Sequence, residues 1–309
     1  MTWIPTLASL TVTVLIMAGL RKITRSWRRR LSYRRRIRRN EAYWESLRAA
    51  GPGASQAPRL RIVVSLTTSP ARLAELEPVL ASLTSGQTRR PDEIHLNLPW
   101  RFLRTGEGYV LPEFLSRYDV KVFRTPDMGP ATKLIPTLER VTDPETWIMT
   151  VDDDVRHLPQ AVATLEDAAA AAPGAAHGFS DYALWRKWKP GEPVDILAGF
   201  GGCLYRRGFF GPDFPAYFEA LSGNRPCFFQ DDVVLSNYLA RRGIPRHRVH
   251  AAACHLELMK ERGCLLEQAA GDDALSHGAG SGLNTHDRSL EAMAFLRSVG
   301  LAALPGPRD

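Results

Sequence analysis

Only four of the 309 residues are cysteine, Cys203, Cys227, Cys254 and Cys264, and no two of them form a CxxC or zinc-like spacing. A cysteine-built zinc module is thereby excluded. The even count leaves disulfides open on arithmetic alone, but a body on the cytoplasmic side of a membrane would keep the thiols reduced, and buried cysteines are expected. No internal repeat is present, which removes solenoids and propellers. Acidic residues are missing from residues 1–40, which hold 11 Lys and Arg. Without them, the formal charge of +7 becomes 29 basic against 33 acidic residues, or −4. The basic character therefore belongs to one segment and does not make the body a nucleic-acid binder.

Charge is also absent from Thr2 to Leu20, "TWIPTLASLTVTVLIMAGL". As a helix these residues would span about 28 Å at ~1.5 Å per residue, near the ~30 Å of a bilayer core. A secretory signal would put basic residues before the apolar run, whereas here "RKITRSWRRRLSYRRRIRRN" follows it. Residues 1–20 are expected to be a single transmembrane anchor with its flank and body on the cytoplasmic side of an inner or plasma membrane. A helix packed on the body, or a misplaced start codon, is the alternative. Residues 21–58 are the basic juxtamembrane segment and linker, closing with "AAGPGASQAP". Residues 59–309 are expected to form the catalytic domain.

That body opens with "RLRIVVSL", a run suited to a strand buried on both faces. Ser69 and Pro70 suit the start of a helix running to about Ser85. "DEIHLNLP", "YDVKVFR" and "ETWIMTV" are further strands, and "GPATKLIPTLERV" and "QAVATLEDAAAAA" are helices. Alternation of this kind predicts an α/β fold with a mainly parallel central sheet and flanking helices. Ligands in such sheets bind beyond the strands' carboxyl ends, where both the Ser65–Ser69 turn and Asp152–Asp154 fall.

Four segments offer chemistry. Asp152 and Asp154, delivered by a strand into a turn, suit a divalent cation such as Mg²⁺ or Mn²⁺; a solvated acidic turn or a helix N-cap cluster is the bland alternative. Haloacid-dehalogenase phosphatases also place DxD after a strand. They want a small hydroxyl or β-branched residue where this chain has Arg156, and they use the first strand. In "RTPDMGPATKLIP", the turn and Lys133 could receive an anion and Asp127 a ribose or base, unless Lys133 merely faces solvent. "GFGGCLYRR" brings Gly199, Gly201 and Gly202 together, for close approach of a ligand or for a kinked strand. In "FFQDDVVLSNYL", Asp231 and Asp232 open an amphipathic helix, as a general base or as dipole-favoured caps. Trp185 and Trp188 could stack on a sugar, dip toward lipid or simply pack.

Taken in order, "VVSLTTSPARL", "DMGPATKLIPTL", "IMTVDDDV", "GFGGCLYRR" and "FFQDDVVLSNYL" resemble the nucleotide-sugar-dependent glycosyltransferases of the GT-A fold. The likeness runs over roughly Arg59 to Gly243 and is greatest to a bacterial and viral group with a GPxTKL segment. It implies a Rossmann-like fold and a metal-assisted, inverting transfer from a nucleotide-diphosphate sugar to a glycan or lipid-linked hydroxyl, within glycan biosynthesis. It implies metal ligands at Asp152 and Asp154 and a base at Asp231 or Asp232. Ser65, Thr67, Thr68, Asp127, Lys133, Asp153, Gly201 and Gly202 would then meet the donor. Relatives often carry ED where this chain has Gln230-Asp231-Asp232, and some use a late histidine on the metal. His247, His250, His255, His277 and His286 are the candidates here. The alternatives are a metal-dependent phosphotransferase or hydrolase using the same aspartates, and a non-catalytic membrane-bound nucleotide-sugar adaptor.

Overall fold

The computed structural model describes residues 59–182, 184, 192–249 and 285–306, with only the backbone of Phe200. The expected anchor and linker, Trp185, Trp188, Cys254, Cys264, His250, His255 and His277 lie outside the described residues. Among the described residues no helix is long and apolar enough to cross a membrane.

Seven strands form one sheet in the order β3-β2-β1-β4-β6-β5-β7. They are β1 (Ile62–Leu66), β2 (Glu93–Pro99), β3 (Lys121–Thr125), β4 (Trp147–Thr150), β5 (Ala176–Tyr182), β6 (Ile196–Arg206) and β7 (Arg246–Arg248). The first four strands are mutually parallel, as the alternating pattern predicts. Of the seven, β6 alone runs the other way, antiparallel to both β4 and β5. The inner strand β1 is buried at every position, which is why it is a mostly apolar run rather than an alternating one.

The helices are α1 (Pro70–Leu73), α2 (Glu77–Leu83), α3 (Ile135–Arg140), α4 (Ala161–Ala171), α5 (Phe214–Ser222), α6 (Arg225–Phe229), α7 (Asp231–Arg241) and α8 (Thr285–Ser298). One expectation fails here: the helix expected from Pro70 to about Ser85 is two helices. Pro78 lacks an N–H, and its ring would strike the carbonyl of residue 74, so a single helix cannot pass through. Ser69 takes the extended N-cap conformation, although its side chain makes no capping bond. The break leaves α1 as a short stub with a buried Arg72, which has a use at the site.

Strand register fixes the site's position. Ser65 lies opposite Thr150 on β4, so the residues after each strand, the Thr67–Ser69 turn and Asp152–Asp154, emerge side by side. Pairing of β4 with β6 ends at Thr150 and Cys203, and β6 then bulges against β5 between Gly178 and Ser180. Residues 199–202 stand there opposite Phe179 alone. Gly201 and Gly202 have φ of 94° and 113°, a region that side chains other than glycine rarely enter. The glycines do kink the strand, and the kink lies against Lys133 and Asp232.

Candidate active site

Lys133 is the centre of the site. It ends a 3₁₀ turn, Gly129–Lys133, that is held from below. Ser65, fully buried on β1, donates its hydroxyl hydrogen to the Lys133 carbonyl oxygen. The Ser65 Oγ also lies 2.7 Å from Thr137 Oγ1 and accepts from Asn97 Nδ2 at 3.0 Å. Ser65 was expected to meet a nucleotide; its burial and these partners make it the seat of Lys133 instead. Gly129, at φ 62°, lets the turn press on α6, since a Cβ there would sit 2.7 Å from the Phe228 ring.

From this seat the buried Lys133 ammonium reaches two segments at once. Its Nζ is 2.8 Å from Asp152 Oδ1 and 3.2 Å from Asp231 Oδ2. Although burial opposes the charge, Asp152, Asp231 and Asp232 hold the Lys133 pKa well above its ordinary value. The bulge closes the other side. Gly199 N donates to Asp232 Oδ1 at 2.9 Å, and a Cβ on Gly199 would stand 2.8 Å from Lys133 Nζ. A side chain at position 199 would therefore have to displace the Lys133 ammonium or the Asp232 carboxylate.

The three aspartates face different partners. Asp152 retains 31% side-chain exposure beside Lys133. Asp153 turns inward, accepting from Thr68 Oγ1 at 2.6 Å and from Arg72 Nη1 at 2.9 Å. Burial raises its pKa, against the pull of Arg72 and Thr68. The expected donor contact of Asp153 is therefore replaced by an internal ion pair. Asp154 has one oxygen 3.5 Å from Arg72 Nη1, while its Oδ1 is buried without a hydrogen-bond partner. Burial, then the charges of Asp152 and Asp153, push its carboxyl up to about 7. A buried carboxyl oxygen with no hydrogen-bond partner is an open acceptor, able to take a proton or a cation.

Of the two helix-opening aspartates, Asp231 is buried against Lys133 and Asp232 is half-buried. Burial first, and the Asp231 charge second, raise the Asp232 pKa. Asp127 spends both oxygens on backbone, accepting from Leu103 N and Gly129 N, each at 2.8 Å. It braces two loops rather than presenting a free carboxylate. Thr67 is half-buried in the turn after β1. Gly202 faces the core, where a Cβ would meet Met149 Cε at 2.9 Å. His247 stacks on His177 with ring centroids 6.2 Å apart, and His286 is exposed on α8. Among the described residues no three His, Cys, Asp or Glu side chains gather closely enough to hold a metal ion by themselves.

Arg72 was missed from the sequence, although a signal existed. Three adjacent carboxylates require a positive neighbour, and parallel β1 and β4 put the helix after β1 beside them. Gln230, another residue given no role of its own, accepts from Ser289 Oγ of α8 at 2.8 Å, tying the start of α7 to the C-terminal helix.

No family model matches the chain, and no curated protein matches it. Among solved structures it is similar to the mannosyltransferase PcManGT from Pyrobaculum calidifontis in complex with GDP-Man and Mn2+, at 13% identity, covering 86% of this chain and 84% of that one, with a TM-score of 0.38. It is also similar to 4-diphosphocytidyl-2C-methyl-D-erythritol synthase, at 13% identity over 64% of this chain and 92% of that one, TM-score 0.38. Residues 1–349 of S. aureus TarS give 13% identity and a TM-score of 0.38, with 62% of this chain and 59% of that one covered.

Proposed function

We propose that the chain is a glycosyltransferase that moves a sugar from a nucleoside-diphosphate donor to a hydroxyl of a glycan or lipid-linked acceptor. One observation carries the reading. Segments far apart in sequence place a buried ammonium, an orphaned carboxylate and a carboxylate of raised pKa at one carboxyl edge of a mainly parallel sheet.

Asp152 and Asp154 would hold a divalent cation, Mg²⁺ or Mn²⁺, whose remaining ligands would be phosphate oxygens and water. Bound there, it supplies positive charge against the departing diphosphate. Lys133 adds a second positive group, preorganised by Ser65 and paired to Asp152 before any ligand arrives. Asp232 is the base. It is the less buried of the pair, is oriented by Gly199 N, and has the raised pKa that suits proton abstraction near neutrality. It would take the acceptor proton as the hydroxyl oxygen attacks the anomeric carbon; a single displacement of this kind inverts that carbon. Asp231 positions Lys133. Residues 1–20 would anchor the chain in a membrane with the catalytic domain cytoplasmic, which a C-terminal topology reporter checks.

Calorimetric titration of the full chain with a panel of nucleotide sugars, with and without Mn²⁺, tests the reading. Binding of at least one donor, strengthened by the metal, is expected. Silence toward every nucleoside diphosphate would end the transferase reading. Unchanged binding in Asp152→Ala/Asp154→Ala would reduce the aspartates to an acidic turn.

A further inference from the structure

Among the described residues, five large apolar side chains are exposed, and four belong to one loop between β2 and β3: Trp100 (61%), Leu103 (66%), Val110 (90%) and Leu111 (47%). Scattered exposed leucines mean little, but several apolar side chains collected on one loop mark a surface that something covers. The loop is also built, not loose. Arg124 donates to the carbonyls of Pro99 and Tyr109, at 3.5 and 3.2 Å, so the two ends meet across one guanidinium. Trp100 and Val110 are the next residues after these two carbonyl groups. Phe102 N bonds to Glu107 O at 2.9 Å, which closes the tip, and Leu103 N is tied to Asp127. Tyr109 is buried and donates its hydroxyl hydrogen to Thr68 O at 2.9 Å, so the loop is fastened to the turn that braces Asp153.

This scaffold holds apolar side chains outward beside the mouth of the site. Arg101 and Arg104 are exposed between them, with Glu107 the exposed acid at the tip. Tryptophan, aliphatic side chains and arginine in one loop suit the lipid–water boundary, where rings sit at headgroup level and guanidinium groups reach phosphates while their stems stay in apolar surroundings.

We propose that residues 100–111 dip into an anionic lipid surface and turn the mouth of the site toward the bilayer. The rest of the chain permits this. Residues 21–58 lead to Arg59 at the opposite edge of the sheet, and 38 residues, at up to ~3.3 Å each, far exceed the length of a five-residue strand. An anchored chain can therefore lay this loop on the same membrane. Contact of this loop with lipid is independent of transferase activity.

The test uses the full chain in phosphatidylcholine–phosphatidylglycerol vesicles. An environment-sensitive dye is placed at Leu103→Cys, Val110→Cys or Asp119→Cys, with dye-treated wild type as background for the native cysteines. Asp119 is exposed just before β3, at the other edge of the sheet. Insertion to the depth of interfacial segments, ~5–10 Å, predicts a blue shift at 103 and 110 and at least about twofold quenching by nitroxide-bearing lipids, with position 119 unaffected. Labels at 103 and 110 that stay water-exposed overturn the proposal, as does equal quenching at all three positions. A blue shift that appears without lipid and grows with protein concentration would assign the loop to a second copy of the chain and overturn it equally.

Discussion

At the scale of single residues, the site is a set of charges held against their own repulsion. Asp154 shows the tension most directly. An unfolded aspartate titrates near ~3.9, whereas burial raises this one to about 7. Its contribution to stability is whole below the unfolded value and is lost as pH rises through the folded one. Asp154→Asn, which cannot ionise, should therefore match the wild type near about pH 4 and exceed it near about pH 8 by up to about 4 kcal/mol, at ~1.4 kcal/mol for each pKa unit. Denaturant midpoints at the two pH values check this, and added Mn²⁺ should close the gap by stabilising the wild type alone. Lys133 carries the opposite sign. Lys133→Met leaves Asp152, Asp231 and Asp232 without their ammonium, and the loss should be about 3–5 kcal/mol at neutral pH, measured by chemical unfolding. Asp232→Asn should keep donor binding while lowering transfer by ~10²–10⁴-fold, read as binding by titration against turnover.

At the scale of elements, the bulge in β6 decides whether these charges meet. Gly202→Ala would force a side chain into φ 113° with Met149 behind it, and should destabilise by about 1–3 kcal/mol in thermal unfolding. Much of this level is legible in the sequence. The buried run of β1, the aspartates after β4 and the helix start at Asp231 all follow from periodicity, because burial on both faces and helix polarity leave direct traces in residue type. The inward turn of Ser65 and the double duty of Arg72 do not. Both depend on which side chain a neighbouring strand or turn presents, and that is decided by register rather than by local pattern. Nor does the glycine run announce its geometry, since Gly199 is fixed by a lysine that lies 66 positions earlier in the chain.

At the scale of the whole molecule, α8 and the segment after it hold α7, and with it Asp231 and Asp232, in place. Asn237, fully buried on α7, donates to Tyr217 Oη and Leu301 O, and accepts from Ala303 N and Leu304 N. Asn237→Ala should cost about 3 kcal/mol and loosen the C-terminal segment first, seen as early amide exchange over residues 285–304. Because Ser289 also grips Gln230, the same change should weaken the placement of Asp231 and Asp232 before the sheet itself yields.

The middle aspartate has a consequence for anyone randomising this turn. In a library sorted only for folded, soluble clones, position 153 should remain Asp wherever position 72 remains Arg, because separating that buried pair strands a charge. Position 154, with its unmet oxygen, should drift toward neutral residues in the same pool. Sorting the survivors again for catalysis would bring Asp154 back. The two rounds together would thus separate, within three consecutive codons, what the chain keeps in order to stand from what it keeps in order to act.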